Sequence, residues 1–141
     1  MKNNKIAVIT AEFNSEITHD LRDECVKKLL LKQCEVSKFS CPGAVELIPA
    51  AKRISKNNRF DTIIIIGAII KGDTDHYEYV CQLVINSFTH FIQNADIPVI
   101  FGVLTTQNEE LAKERSDPKK MNKGAEFAQS ALDMLQLFNE N

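Results

Sequence analysis

The run Lys71-Gly72-Asp73-Thr74-Asp75-His76 brings a cation, a glycine, a hydroxyl and an imidazole together just ahead of a helical pattern. Backbone N–H groups and a hydroxyl at a helix N-terminus suit a phosphate or another anion. Asp73 and Asp75 would repel such an anion, so that reading needs both carboxylates turned outward. His76 stands at the helix entrance, and a near-neutral pKa fits a proton shuttle. The plainer alternative is that Thr74 or Asp75 caps the helix and His76 is a surface residue. Arg115 offers a planar donor fork for phosphate or carboxylate, yet a cation near the end of a short helix is also favoured by the helix dipole. Lys123 and Glu126, three apart, read equally as an ordinary surface pair, and Lys119, Lys120 and Lys123 as a solvated face. Phe13, in a polar loop between Glu12 and Asn14, either stacks on a planar ring or packs under its loop. Glu46 follows Pro42-Gly43 at a helix start, where an acid is expected for dipole reasons alone.

These residues need elements to hold them, and the sequence alternates β-branched runs with amphipathic stretches. Residues 5–10 (KIAVIT) predict a strand. Ile17, Leu21, Cys25 and Leu29 recur every four residues on one helical face, with Ser15 or Thr18 as the candidate cap. A weaker strand is predicted over 34–39 and a helix over 46–57, where Pro49 is tolerable only in the first turn. The Ile-rich run 60–68 (FDTIIIIGA) predicts a strand covered on both faces. A helix over 78–93 with Val80, Val84 and Phe88 on one side follows, then a strand over 97–103. Helices over 109–115 and 123–138 close the pattern, separated by Asp117-Pro118.

Four strands alternating with helices predict a three-layer α/β sandwich, a four-stranded parallel sheet with helices on both faces, as one domain over residues 1–141. Ligands of such sheets sit beyond the carboxyl ends of the strands, at a topological switch point. The loops at that edge are 11–15, 40–46, 68–76 and 104–108, and these hold most of the residues named above.

Composition sets the outer bounds. The 141 residues are 44% hydrophobic and 26% charged, and 17 Lys+Arg against 19 Asp+Glu give a formal charge of −2. Nucleic-acid binders usually carry a strong basic excess, so that partner is not expected. The longest apolar stretch, residues 63–70, is far too short to span a bilayer, and residues 6–9 are too short for a secretory signal. Cys25, Cys34, Cys41 and Cys81 form no C-x-x-C pair, and His19, His76 and His90 fall at no zinc-ligand spacing. Reduced, buried thiols in a cytosolic protein are the expectation. No G-x-G-x-x-G, P-loop or nucleophile elbow occurs, which argues against dinucleotide, nucleotide-hydrolysing and serine-hydrolase chemistry.

Read together, the loops resemble those of lumazine synthase (6,7-dimethyl-8-ribityllumazine synthase), the penultimate enzyme of riboflavin biosynthesis. The matching pieces are Ala11-Glu12-Phe13-Asn14, Pro42-Gly43-Ala44-Val45-Glu46, the stretch GAIIKGDTDHYEYV at 67–80, IPVIFGVLT at 97–105, Glu114-Arg115 and Asn122-Lys123-Gly124-Ala125-Glu126. They occur in the family's order and cover nearly the whole chain.

The resemblance implies a flavodoxin-like lumazine synthase fold. It also implies a transferase that condenses 5-amino-6-(D-ribitylamino)uracil with 3,4-dihydroxy-2-butanone 4-phosphate, giving the lumazine, phosphate and water. By the same resemblance Phe13 stacks on the pyrimidine, Ala44, Val45 and Glu46 bind the ring and ribityl chain, and Ala68, Ile69 and Ile70 line the pocket through backbone contacts. Asp73, Thr74 and Arg115 hold the phosphate, His76 transfers protons, Phe101 packs on the pyrimidine from a neighbouring subunit, and Lys123 and Glu126 stand close by. No metal or organic cofactor is implied. The implied partners are further copies of the chain, in a cytoplasmic homo-oligomer built from pentamers with sites between subunits, and riboflavin synthase as an associate. Pro49, Asp75 and the segment Asp117-Pro118 with Met121 depart from the common pattern. Archaeal-type riboflavin synthase shares this fold, but the intact segments 71–76 and 122–126 disfavour it. A catalytically silent shell would need neither His76 nor Arg115.

Overall fold

A computed structural model describes residues 3–73 and 76–140. Strand β3 (Thr62–Ile70) is the hydrophobic axis, with Ile63, Ile64, Ile65 and Ile66 wholly buried. A strand with apolar residues at every position must be covered on both faces, and β3 is. It lies between β1 (Lys5–Ala11) and β4 (Val99–Thr106), and β1 in turn pairs with β2 (Glu35–Cys41). The order is β2-β1-β3-β4 and every pairing is parallel.

Successive side chains leave a strand on opposite faces. Ile6, Val8, Ile64 and Ile66 therefore meet α1 (Ser15–Leu31) and α5 (Lys123–Asn139) on one side. Ala7, Ile9, Ile63 and Ile65 meet α2 (Leu47–Ser55) and α3 (His76–Ile92) on the other. The short helix α4 (Glu109–Ser116) contributes Ala112 to the first cluster. The fold is a three-layer α/β sandwich of flavodoxin-like type.

The helical face Ile17, Leu21, Cys25 and Leu29 is buried as its spacing predicted. Gly124 sets how close α5 comes to α1: a Cβ there would lie 2.2 Å from the Leu21 carbonyl oxygen. Pro49 falls in the first turn of α2, where its missing N–H has no partner to lose. A single 3-10 turn, Ala44–Glu46, leads into that helix.

Several boundaries differ from the sequence expectation. Neither Ser15 nor Thr18 caps α1: the cap position is Asn14, in the left-handed region at φ 64°, and its side chain makes no capping bond. Strand β3 runs to Ile70 and β4 to Thr106, because their pairing continues through Ile69↔Thr105 and Ile70↔Thr106 after β1 has ended. Helix α3 begins at His76, two residues before the expected start. Cys25, Cys34 and Cys41 are buried free thiols, whereas Cys81 is only half-buried. Among the described residues no helix is long and apolar enough to cross a membrane.

Candidate functional site at the carboxyl edge of the sheet

The site begins with a mismatch in strand length. Strand β1 pairs with β3 only from Ile6↔Thr62 to Thr10↔Ile66, while β3 continues alongside β4 to Ile70. Residues 67–70 thus overhang β1, and their backbone edge on that side has no strand partner. Asn14 Nδ2 donates to the Ala68 carbonyl on that edge at 2.8 Å. Backbone groups of alternate residues face alternate edges, so Ile70 turns its own N–H and carbonyl the same way. The sequence expectation ended this strand at residue 68 and put 69–70 in the loop; they are strand, which gives the notch a rigid wall. This notch is the switch point at which β2 and β3 lie on opposite sides of β1.

The loops after β1 and β2 close the notch from the other side. Glu12 N–H donates to the Cys41 carbonyl and Phe13 N–H to the Pro42 carbonyl, both at 2.9 Å. Phe13 is 71% exposed, so the alternative in which it packs under its own loop does not hold. A Cβ built on Gly43 would stand 3.3 Å from Glu46 Oε1 and 3.8 Å from Phe13 Cβ, so the base of the Phe13 side chain, the Glu46 carboxylate and the turn share one small space. Ala44 lies behind them, its Cβ facing Gly67, and Val45 is exposed. The Cys41 thiol reports the local charge: burial, then the Glu46 carboxylate, and more weakly Glu12, push it up to about 11. It is a neutral, inert thiol at physiological pH.

His76 opens α3 with its side chain exposed, and Asp73 is exposed on the preceding loop. Thr74 and Asp75, the expected phosphate ligand and its acidic neighbour, lie outside the described residues. Tyr77, which sequence reasoning passed over, has its hydroxyl engaged with the side chains of Thr105 and Cys81. Burial, more than any neighbour, holds the Tyr77 hydroxyl above the ordinary phenol range. Its contact with Thr105 fastens the first turn of α3 to the end of β4. Lys71 N–H, donating to the Thr106 carbonyl at 3.0 Å, fastens the start of the same loop.

Phe101, Lys123 and Glu126 lie elsewhere on this chain. Phe101 pairs with Ile65, three rungs before Ala68↔Leu104, about 10 Å short of the notch at the usual strand rise. Its ring packs on Phe88 with centroids 4.7 Å apart. Phe101, Lys123 and Glu126 line a separate cavity of about 560 Å³, together with Phe127 and Ser130. Lys123 Nζ and Glu126 Oε1 are 3.3 Å apart, the surface pair that their spacing allowed. Arg115 is half-buried in the last turn of α4, and its guanidinium donates to the Leu111 carbonyl of the same helix at 3.1 Å. Asp117, a departure noted in the sequence, orders the connection to α5: its carbonyl accepts from Lys120 and Asn122, and its carboxylate from Lys119 at 2.8 Å. Among the described residues no three His, Cys, Asp or Glu side chains group to hold a metal ion.

A parallel α/β sandwich with an aromatic, a carboxylate and a partnerless strand edge at its switch point belongs to the class whose ligands bind at the carboxyl edge of the sheet. Comparison with known proteins narrows the class. Residues 3–139 match the family described as 6,7-dimethyl-8-ribityllumazine synthase. A protein of that name from Leuconostoc mesenteroides is 39% identical over 141 residues, covering 98% of this chain and 90% of its own. Two from strains of Coxiella burnetii are 36% and 35% identical, each covering 96% of this chain and 92% of its own. The chain belongs to the 6,7-dimethyl-8-ribityllumazine synthase family.

Proposed function

We propose that this chain is a transferase that condenses 5-amino-6-(D-ribitylamino)uracil with 3,4-dihydroxy-2-butanone 4-phosphate to form 6,7-dimethyl-8-ribityllumazine, phosphate and water. The observation that carries the reading is the exposed Phe13 next to the Gly43–Glu46 turn, together with the edge of β3 that β1 leaves without a strand partner. A planar pyrimidine stacks on such a ring while its amide edge meets backbone groups of Ala68 and Ile70. Ala44, Val45 and Glu46 take the ring margin and the ribityl hydroxyls. Asp73, Thr74 and Arg115 hold the phosphate, Asp73 through its loop backbone.

The amine of the pyrimidine attacks the ketone and an imine forms with loss of water. Loss of the proton on the neighbouring hydroxyl-bearing carbon expels phosphate, the resulting enol tautomerises to a ketone, and the second amine closes the ring on that carbonyl with loss of a second water. His76 moves protons at these steps. Holding two substrates together supplies much of the acceleration.

On this reading the whole chain is one domain, and Phe101, Arg115, Lys123 and Glu126 serve the notch of an adjacent copy. The place of Phe101 about 10 Å short of the notch of its own chain, with Lys123 and Glu126 on the same separate cavity, supports that arrangement. We assign the protein to a cytoplasmic homo-oligomer built from pentamers, associating with riboflavin synthase. An absorbance assay with both substrates tests the function: the lumazine chromophore appears, and is lost when the butanone phosphate is omitted. No product from a folded oligomer would overturn it in favour of a silent shell. Riboflavin formed from the lumazine alone would indicate the archaeal-type riboflavin synthase reaction instead.

A further inference from the structure

We infer that Glu12 and His19 are positioning residues that set the pose of Phe13 and thereby the affinity for the pyrimidine substrate; this deepens the reading above and rests on it. Glu12 Oε2 and His19 Nε2 are 2.6 Å apart, joining the end of β1 to the second turn of α1. The three-residue loop 12–14 is tied at every residue: Glu12 to Cys41 O and His19, Phe13 to Pro42 O, Asn14 to Ala68 O. The Asn14 tie fixes one flank of Phe13 against β3. The Glu12–His19 tie fixes the other flank against α1.

Phe13 itself is too exposed for packing to hold its ring, so its pose depends on these two flanks. The pair also has an electrostatic role. Glu12 and Glu46 both act on the Cys41 thiol, so two carboxylates converge at the mouth of the notch. His19 occupies the Glu12 carboxylate, whereas among the described residues the Glu46 carboxylate has no hydrogen-bond or ion-pair partner. Neither Glu12 nor His19 needs to touch substrate for this.

The test is steady-state kinetics on Glu12→Ala, His19→Ala and the double variant. KM for the ribitylaminouracil should rise about two- to five-fold, the effect expected on loss of an exposed hydrogen-bonded pair, with kcat and KM for the butanone phosphate unchanged. The double variant should be no worse than either single one. Glu12→Gln, which keeps a hydrogen bond to His19, should restore most of the affinity. An unchanged pyrimidine KM, or equal rises in both KM values, would overturn the inference. Phe13→Ala separates the two levels of the argument. If it raises the pyrimidine KM while the Glu12 and His19 variants do not, only the positioning role fails. If Phe13→Ala leaves that KM unmoved, the stacking role and the positioning role fall together.

Discussion

Arg115 spends its hydrogen-bonding capacity modestly, with one guanidinium nitrogen on a carbonyl of its own helix, and so retains donors for an anion. Arg115→Ala should raise KM for the butanone phosphate by about ten-fold or more, the scale of a lost charge-assisted hydrogen bond, with the pyrimidine KM little changed. Substrate-dependence curves check this, and an unmoved phosphate-substrate KM would remove Arg115 from the phosphate site. His76→Ala should slow single-turnover condensation by about a hundred-fold without abolishing it, because the two substrates remain held together. The residue types were legible from the sequence: a lone aromatic in a polar loop and an imidazole at a helix start stand out by chemistry alone. Their supports were not. Asn14 adopts φ 64° where its loop turns from β1 into α1 and its side chain reaches Ala68, and nothing in a seven-residue separation marks Glu12 and His19 as partners.

At the scale of elements, periodicity identified each helix and strand, while their ends were decided by neighbours. Residues 69–70 remain strand only because β4 is there to pair with them. The α1–α5 contact offers a direct test of packing. With 2.2 Å between a new Cβ and the Leu21 carbonyl oxygen, Gly124→Ala must push α5 outward. Urea denaturation should show a loss of about 1–3 kcal/mol, the range for overpacking.

Helix α1 also carries a strained acid. Asp20 has its carboxyl pKa raised, by burial first, then by Asp23, Asp117 and Glu24, with His19 pulling the other way. A folded-state value above the unfolded one means that stability falls as pH rises through the window between them, and the cost persists at neutral pH. Asp20→Asn should therefore be slightly more stable than wild type at neutral pH, with the advantage vanishing below about pH 4, near the unperturbed carboxyl value. Denaturation curves at the two pH values give the sign.

At the scale of the molecule, the candidate residues divide into two sets: those of the carboxyl-edge loops, Phe13 and His76 among them, and those on the separate cavity of Phe101 and Lys123. Residue types and loop positions could not assign that division, since they say nothing about which copy a residue serves; only the family resemblance put Phe101 on a neighbouring subunit. If each site takes His76 from one copy and Arg115 from another, mixing subunits of the His76→Ala and Arg115→Ala variants should rebuild about a quarter of the sites as wild type by random assortment. Co-refolding the two proteins and measuring turnover checks this. An activity equal to the mean of the two parents would place both sets in one chain's site.

The cover that α5 gives to the sheet bears on how the chain is born. Ile6 and Val8 belong to the first strand synthesised, yet the cluster that buries them includes Ala128, Ala131 and Leu135. Until those residues exist, one whole face of the sheet has only α1 and α4 against it. Contacts between such distant segments form slowly, and the waiting apolar face is prone to misassociation. Folding must therefore follow translation rather than keep pace with it, and a ribosome stalled before residue 123 would hold a sticky, half-roofed sheet that invites chaperones.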